Sequence, residues 1–370
     1  MAHTLVATPA ALAACCEKLR GASWLAVDTE GDSLHSYWPR VCLVQITAGD
    51  QDFIIDPLAV DIRPLGELFA DPTIEKIMHA AENDVRNLKR DYGFAFANLF
   101  DTMVAARILG YPRWGLADLL RDAFGVALDK RFQRHDWAAR PIAPLALAYA
   151  AADTHYLHPL RLKLGAELAA AGREREAAEE FVRIAAAPPA EHAFDSEDFW
   201  RVRGARELDP AQRPVLRELY RLRDAEAQRL NRPPFKVMPD SALIAIARAA
   251  PRTQAELEAL PGVPPAIARR YGRLILTAVR RGLKQPPLML EHHPRDEARE
   301  ARYEALRAWR NARAAERGVE GDVVVPNSVL RALAAAAPRD PASLSAMGLL
   351  GPWKLETYGA EILDVLRRLP

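Results

Sequence analysis

Three cysteines in 370 residues, two of them adjacent at Cys15 and Cys16, leave no disulfide framework and no zinc-ligand spacing. Such usage fits a reducing compartment, so a cytoplasmic location is expected. No run of ~18 apolar residues occurs, and no membrane span is expected. The N-terminus has no basic stretch leading into an apolar core; Thr8-Pro9 followed by Ala10 to Arg20 reads as a capped amphipathic helix. A strong charge of either sign is also missing, since 50 Lys and Arg against 49 Asp and Glu leave a net +1. With half the residues hydrophobic and 27% charged, long disorder is excluded as well.

The charge is uneven along the chain. Residues 1–190 carry 20 Lys/Arg against 25 Asp/Glu, whereas residues 191–370 carry 30 against 24. An acidic first half can supply metal ligands, and a basic second half suits a polyanion, although so small an excess argues only weakly for nucleic acid.

The first half alternates strand-like and helix-like segments. Trp24–Thr29, Val41–Thr47, Phe53–Asp56 and Ile74–His79 read as strands. Helical patterns cover about Glu82–Asp91, Asp101–Leu109, Leu116–Phe124 and one long stretch from Pro144 to Ala171. This order predicts an α/β domain with a mixed sheet and flanking helices. The charged stretch Arg173–Glu180 and then Ala185-Ala-Ala-Pro-Pro189 read as the domain exit and a linker. Beyond about residue 205 the chain reads as all helix and repeats itself at an offset of 87 residues. Arg223 matches Arg310, Pro239 matches Pro326, Ala250-Pro-Arg252 matches Ala337-Pro-Arg339, and Tyr271-Gly272 matches Tyr358-Gly359. Two copies of one small module explain this. The expected division is residues 1–190, 205–288 and 296–370.

Asp28 and Glu30 lie two apart at the end of an apolar strand, so both carboxylates can reach one point. Tyr149 and Asp153 are four apart in a helical segment and share a face. Asp84 falls in the first turn of a helix after a buried strand, where Glu82 and Asp91 are close competitors. Each feature alone has a bland reading as a solvated strand end, a chance helical pair or a dipole-stabilising acid. Together they offer four carboxylates, the oxygen-rich set that a pair of hard divalent cations requires.

These segments carry a family resemblance. Val27-Asp-Thr-Glu-Gly-Asp-Ser-Leu through Pro39-Arg-Val-Cys-Leu-Val-Gln-Ile46 resembles the first exonuclease motif of the DEDD superfamily. Ile77-Met-His-Ala-Ala-Glu-Asn-Asp84 resembles the second, and Tyr149-Ala-Ala-Ala-Asp-Thr-His-Tyr-Leu the third in its tyrosine-bearing form. Phe100-Asp-Thr-Met, Leu109-Gly and Asp136-Trp-Ala-Ala-Arg-Pro match the ribonuclease D family in order and spacing, and the repeated modules resemble HRDC domains. The resemblance implies a ribonuclease-H-like exonuclease fold followed by two all-α HRDC-like domains. It implies that Asp28, Glu30, Asp84 and Asp153 hold two Mg²⁺ or Mn²⁺ ions, and that Tyr149 orients the attacking water. The implied reaction releases 5′-mononucleotides from RNA 3′ ends, with tRNA precursors as partners and no membrane or small organic cofactor. The alternatives are an exonuclease acting on DNA and an inactive nucleic-acid-binding protein. The latter would be marked by the loss of a metal ligand, and none is lost.

Weaker candidates for substrate contact are basic. Lys130 and Arg134 flank a run before the third motif, and Arg40 follows the first beside Tyr37-Trp38. Arg223 and Lys236 belong to a basic stretch of the first helical module that includes Phe235. A solvated loop or charged helix face is the competing reading for each. His79, after a buried strand, reads as a core histidine.

Overall fold

The computed structural model describes residues 2–129, 131–191, 193–290 and 296–369. The expected mixed sheet is present, with six strands: β1 (His3–Val6), β2 (Trp24–Gly31), β3 (Val41–Ala48), β4 (Gln51–Ile55), β5 (Glu75–Met78) and β6 (Leu99–Asp101). Their order is β1-β4-β3-β2-β5-β6. Strands β2, β3 and β4 form an antiparallel meander, while β1, β5 and β6 join in parallel. The edge strands β1 and β6 have four and three residues, too few for a period-2 pattern to stand out.

Among the described residues, eight helices accompany the sheet: α1 (Pro9–Arg20), α2 (Leu65–Ala70), α3 (Glu82–Tyr92), α4 (Thr102–Leu109), α5 (Leu116–Phe124), α6 (Pro144–His155), α7 (Leu157–Ala170) and α8 (Glu174–Ala185). Helix α1 starts as read, with the Thr8 hydroxyl accepting the Ala11 N–H at 3.2 Å and Pro9 in the first turn. Two readings are corrected. The single stretch expected from Pro144 to Ala171 breaks at Tyr156, because Pro159 lacks an N–H and its ring clashes with the carbonyl four residues back. The charged segment taken as a linker is α8. It buries Ala177, Phe181 and Ile184 at helical spacing beneath its charges. Helix α6 covers one face of the sheet, where Ala146, Ala150 and Ala151 pack with Leu43 and Ile54. The other face belongs to the main core, with Leu25, Val27, Val44, Ile46 and Phe53.

The chain divides into two compact units. One holds Met1–Gly31, Val41–Ala190 and Pro294–Pro370; the other holds Asp32–Arg40 and Glu191–His293. In the second unit α9 (Arg213–Leu230), α10 (Pro234–Val237), α11 (Asp240–Ala249), α12 (Gln254–Glu258) and α13 (Pro265–Gly282) enclose their own core. Tyr37 is buried in that core, and its hydroxyl donates to Asp224 at 2.8 Å. In the first unit α14 (Glu297–Arg317), α15 (Gly321–Val324), α16 (Asn327–Ala336), α17 (Pro341–Ala346) and α18 (Pro352–Arg367) form another.

The repeat has a structural cause. Arg223 is buried and donates to the Met238 carbonyl and to Asp240; Arg310, 87 residues on, is buried and donates to the Val325 carbonyl and to Asn327. Ala250 and Ala337 both end a helix in the left-handed region, at φ 45° and 44°. Arg223 therefore clamps its module from inside, which corrects its reading as a substrate contact. Among the described residues no helix is long and apolar enough to cross a membrane.

Candidate active site

Strand β2 runs Leu25-Ala26-Val27 through the core and then delivers Asp28 and Glu30 to the face that α6 covers. Helix α6 brings Tyr149 and Asp153 down on that face. Carboxylate oxygens of Asp28, Glu30 and Asp153 lie within 4.8 Å of one another. Asp84 comes from the first turn of α3 and accepts a hydrogen bond from the Thr29 hydroxyl. Its charge adds to the repulsion felt by Asp28 and Glu30. The structure thus brings the four acids and Tyr149 together. The competitors of Asp84 are occupied elsewhere: Glu82 pairs with Arg183 at 3.2 Å, and Asp91 accepts from the Val41 N–H and from Arg90.

Each of the four acids is half-buried, and none forms an ion pair with Lys or Arg among the described residues. Burial, followed by repulsion from Asp84, Asp153 and Glu30, holds Asp28 well above the usual carboxylate range. Burial and the neighbouring acids raise Glu30 to about 8. Burial raises Asp84 to about 7 against the Thr29 hydrogen bond, and Asp153 to about 7 against one from Tyr149. The Tyr149 phenol is itself raised by burial and by Asp153, so it keeps its proton. Its ring lies 6.1 Å from that of buried Trp137 and 5.7 Å from Phe132. A pocket of about 250 Å³ opens beside Tyr149 and Asp153, lined also by Val126, Leu128, Arg131 and Leu145. A larger cavity of about 670 Å³ lies away from the acids, between α4, α8 and the last helical module.

Two groups at this centre were missed in the sequence. Thr29 sits between the two acids of β2 and faces Asp84 from the opposite side of the strand. Asp101 is fully buried at the end of β6. One of its oxygens accepts from Ala80, Met103 and Val104 N–H at 3.1, 2.8 and 3.1 Å, and the other from Ala81 at 2.7 Å. It caps α4 and also holds Ala80 at φ 59°, the left-handed turn that starts α3 and delivers Asp84. An Asp just before an apolar helix was a legible cap signal; its grip on a second turn was not. His79 fits the core reading. Burial lowers it to about 4, and its Nδ1 meets the Thr102 hydroxyl at 2.9 Å while that hydroxyl donates to the Met78 carbonyl.

The basic candidates fall in both units. Arg134 is exposed in the first unit, and Lys130 lies outside the described residues. Arg40 and Lys236 are exposed in the second unit, the first 3.5 Å from Asp32 and the second 3.3 Å from His35.

Residues 4–169 match the 3'-5' exonuclease family, and residues 212–279 and 299–366 each match the HRDC domain. The chain is 30% identical to the ribonuclease D of Granulibacter bethesdensis over 97% of its own length and 91% of that protein. It is likewise 30% identical to the ribonuclease D of Nitrobacter hamburgensis, covering 97% of this chain and 94% of the relative. The chain belongs to the ribonuclease D family. Among solved structures, Escherichia coli RNase D, described as an exoribonuclease involved in structured RNA processing, superposes with a TM-score of 0.72 at 26% identity over the whole of both chains. The catalytic core of RRP6 from Trypanosoma brucei superposes at 0.70 with 30% identity, over 76% of this chain and 80% of that one. As a family member the chain is a ribonuclease D-like 3′-to-5′ exoribonuclease, and its acid centre lies inside the matched exonuclease region.

Proposed function

We propose that this exoribonuclease hydrolyses RNA with two divalent cations, Mg²⁺ or Mn²⁺, held by Asp28, Glu30, Asp84 and Asp153, and that tRNA precursors are its substrates. The observation that carries the metal reading is the meeting of these carboxylates without an internal cation. The donor set is all oxygen, which hard divalent ions prefer, and the burial that raises all four acids, joined by mutual repulsion at Asp28 and Glu30, is what such ions relieve. Once bound, the ions supply the charge that makes water nucleophilic near neutral pH and that stabilises the departing 3′-oxygen.

The chain's own groups divide the remaining work. Tyr149 keeps its proton and hydrogen-bonds Asp153, so it orients water and does not abstract a proton. Trp137 and Phe132 hold its ring, Thr29 holds Asp84 directly, and Asp101 holds the turn that delivers it. The pocket beside Tyr149 gives room for the terminal nucleotide. Arg40, Arg134 and Lys236, with the half-exposed Phe235, are proposed to meet the RNA backbone, and Lys130 is carried as a fourth candidate. Carboxylates do not read a 2′-hydroxyl, so preference for RNA rests on the family and its helical modules.

The deciding experiment offers the chain 3′-labelled tRNA with a short trailer, or single-stranded DNA of equal length, in Mg²⁺, in Mn²⁺ or in excess EDTA. Mononucleotide release from the RNA, dependent on cation, is expected. Equal rates on DNA would move the substrate class, and activity unchanged in EDTA would end the metal reading.

A further inference from the structure

Gln45 occupies β3 directly opposite Asp28 in the antiparallel register. Residues paired in this way project from one face of the sheet, with Cβ atoms about 5 Å apart. On the same face Leu43 stands opposite Glu30, and Thr47 is hydrogen-bonded with Thr154 of α6. Gln45 is fully buried, and neither its Oε1 nor its Nε2 has a hydrogen-bond partner among the described residues. The surrounding core is apolar, with Ile54 opposite on β4 and Ala146, Ala150 and Ala151 of α6 over the face.

A buried amide left without partners is destabilising, and a methionine of similar volume would avoid that cost. Such a group in a core calls for a cause. Packing supplies none, because every neighbour named above is satisfied without the amide. The cause lies across the strand pair, where Asp28 is the member of the acid cluster nearest in register. A carboxylate that grips a cation presents its remaining lone pairs to a donor, and outer partners of this kind set ligand orientation.

We propose that Gln45 is a positioning residue for Asp28, its amide donating to the Asp28 carboxylate when the centre takes up divalent cations. The inference rests on the metal-dependent reading and adds a residue to it. Gln45 touches neither RNA nor the reacting atoms; it acts through Asp28 alone.

The test compares Gln45→Met with the unaltered chain by calorimetric titration of Mn²⁺ and by thermal unfolding without cation. The variant is expected to unfold at the same or a higher temperature, since an unsatisfied polar group has gone. It is expected to bind Mn²⁺ on the order of 10-fold more weakly. Affinity within twofold of the unaltered chain would overturn the proposal. So would a variant that fails to fold, which would assign the amide to the core. Failure of the unaltered chain itself to bind Mn²⁺ would strike the metal reading, and the role of Gln45 would fall with it.

Discussion

Two groups of half-buried and buried carboxylates within the first unit are treated oppositely by the chain. Where the last helical module meets α8, Glu176 is paired with Arg317 and Glu180 with Lys354, and Glu179 accepts the Trp353 N–H at the start of α18. There the cations come from the protein, and Glu180 is pulled below its ordinary range, although at Glu176 burial still outweighs Arg317. At the sheet, Asp28, Glu30, Asp84 and Asp153 face one another, and all are pushed up. The same residue types thus serve adhesion where the chain supplies compensating charge, and remain as mutually repelling acids where it withholds that charge.

The contrast can be broken at either place. The largest effect is expected from Asp28→Asn, which should lower turnover on the order of 1000-fold, several kcal/mol of charge stabilisation being lost, and should abolish calorimetric Mn²⁺ binding. Its cation-free unfolding temperature should not fall, because one repelling charge has gone; a clear drop would mean that the acids serve the fold. Arg317→Met should do the reverse. Removing one partner leaves Glu176 buried and uncompensated, costing about 3 kcal/mol in denaturant unfolding. Mn²⁺ affinity should be unchanged, and a weakened affinity would show the two places to be coupled.

A smaller effect follows from the raised acids. Between pH 6.5 and 8 the unfolded chain has already released its carboxylate protons, whereas folded Glu30, near 8, and Asp84 and Asp153, near 7, release theirs only within this window. The folded state therefore holds more protons, and stability must fall as pH rises through this window. Two bases oppose the trend at its ends: His79, lowered to about 4, near pH 6.5 where the unfolded imidazole still holds part of its proton, and Lys76, lowered to about 8, toward pH 8; the three acids outweigh them. Cation-free protein should lose a few degrees of unfolding temperature from pH 6.5 to 8, and saturating Mg²⁺ should flatten the slope. A rising or flat curve without cation would contradict unpaired acids.

Much of this was written in short periods. Asp28 and Glu30 share a face because a strand alternates, and Tyr149 and Asp153 because a helix turns every 3.6 residues. The 87-residue repeat was legible because its clamp is a single residue type, Arg223 and Arg310, placed identically in each copy. The direction of those side chains was not legible, since a basic run looks alike whether it faces solvent or a buried carbonyl. Helix α8 was obscured because its charges dominate its composition while its apolar face holds only three large or small hydrophobes. The fate of Asp32–Arg40, whose Tyr37 enters the core of the first helical module, depends on residues nearly two hundred positions away.

By itself the sequence determined the mixed sheet, the duplicated module and which acids could share a strand or helix face, because these follow from spacing within one element. Only the tertiary structure decided that Asp84, and not Glu82 or Asp91, joins Asp28, and that Asp101 holds the turn delivering it. It alone set an unsatisfied Gln45 beside them. Partners across strands and turns are fixed by register and packing, and neither is a local property of the chain.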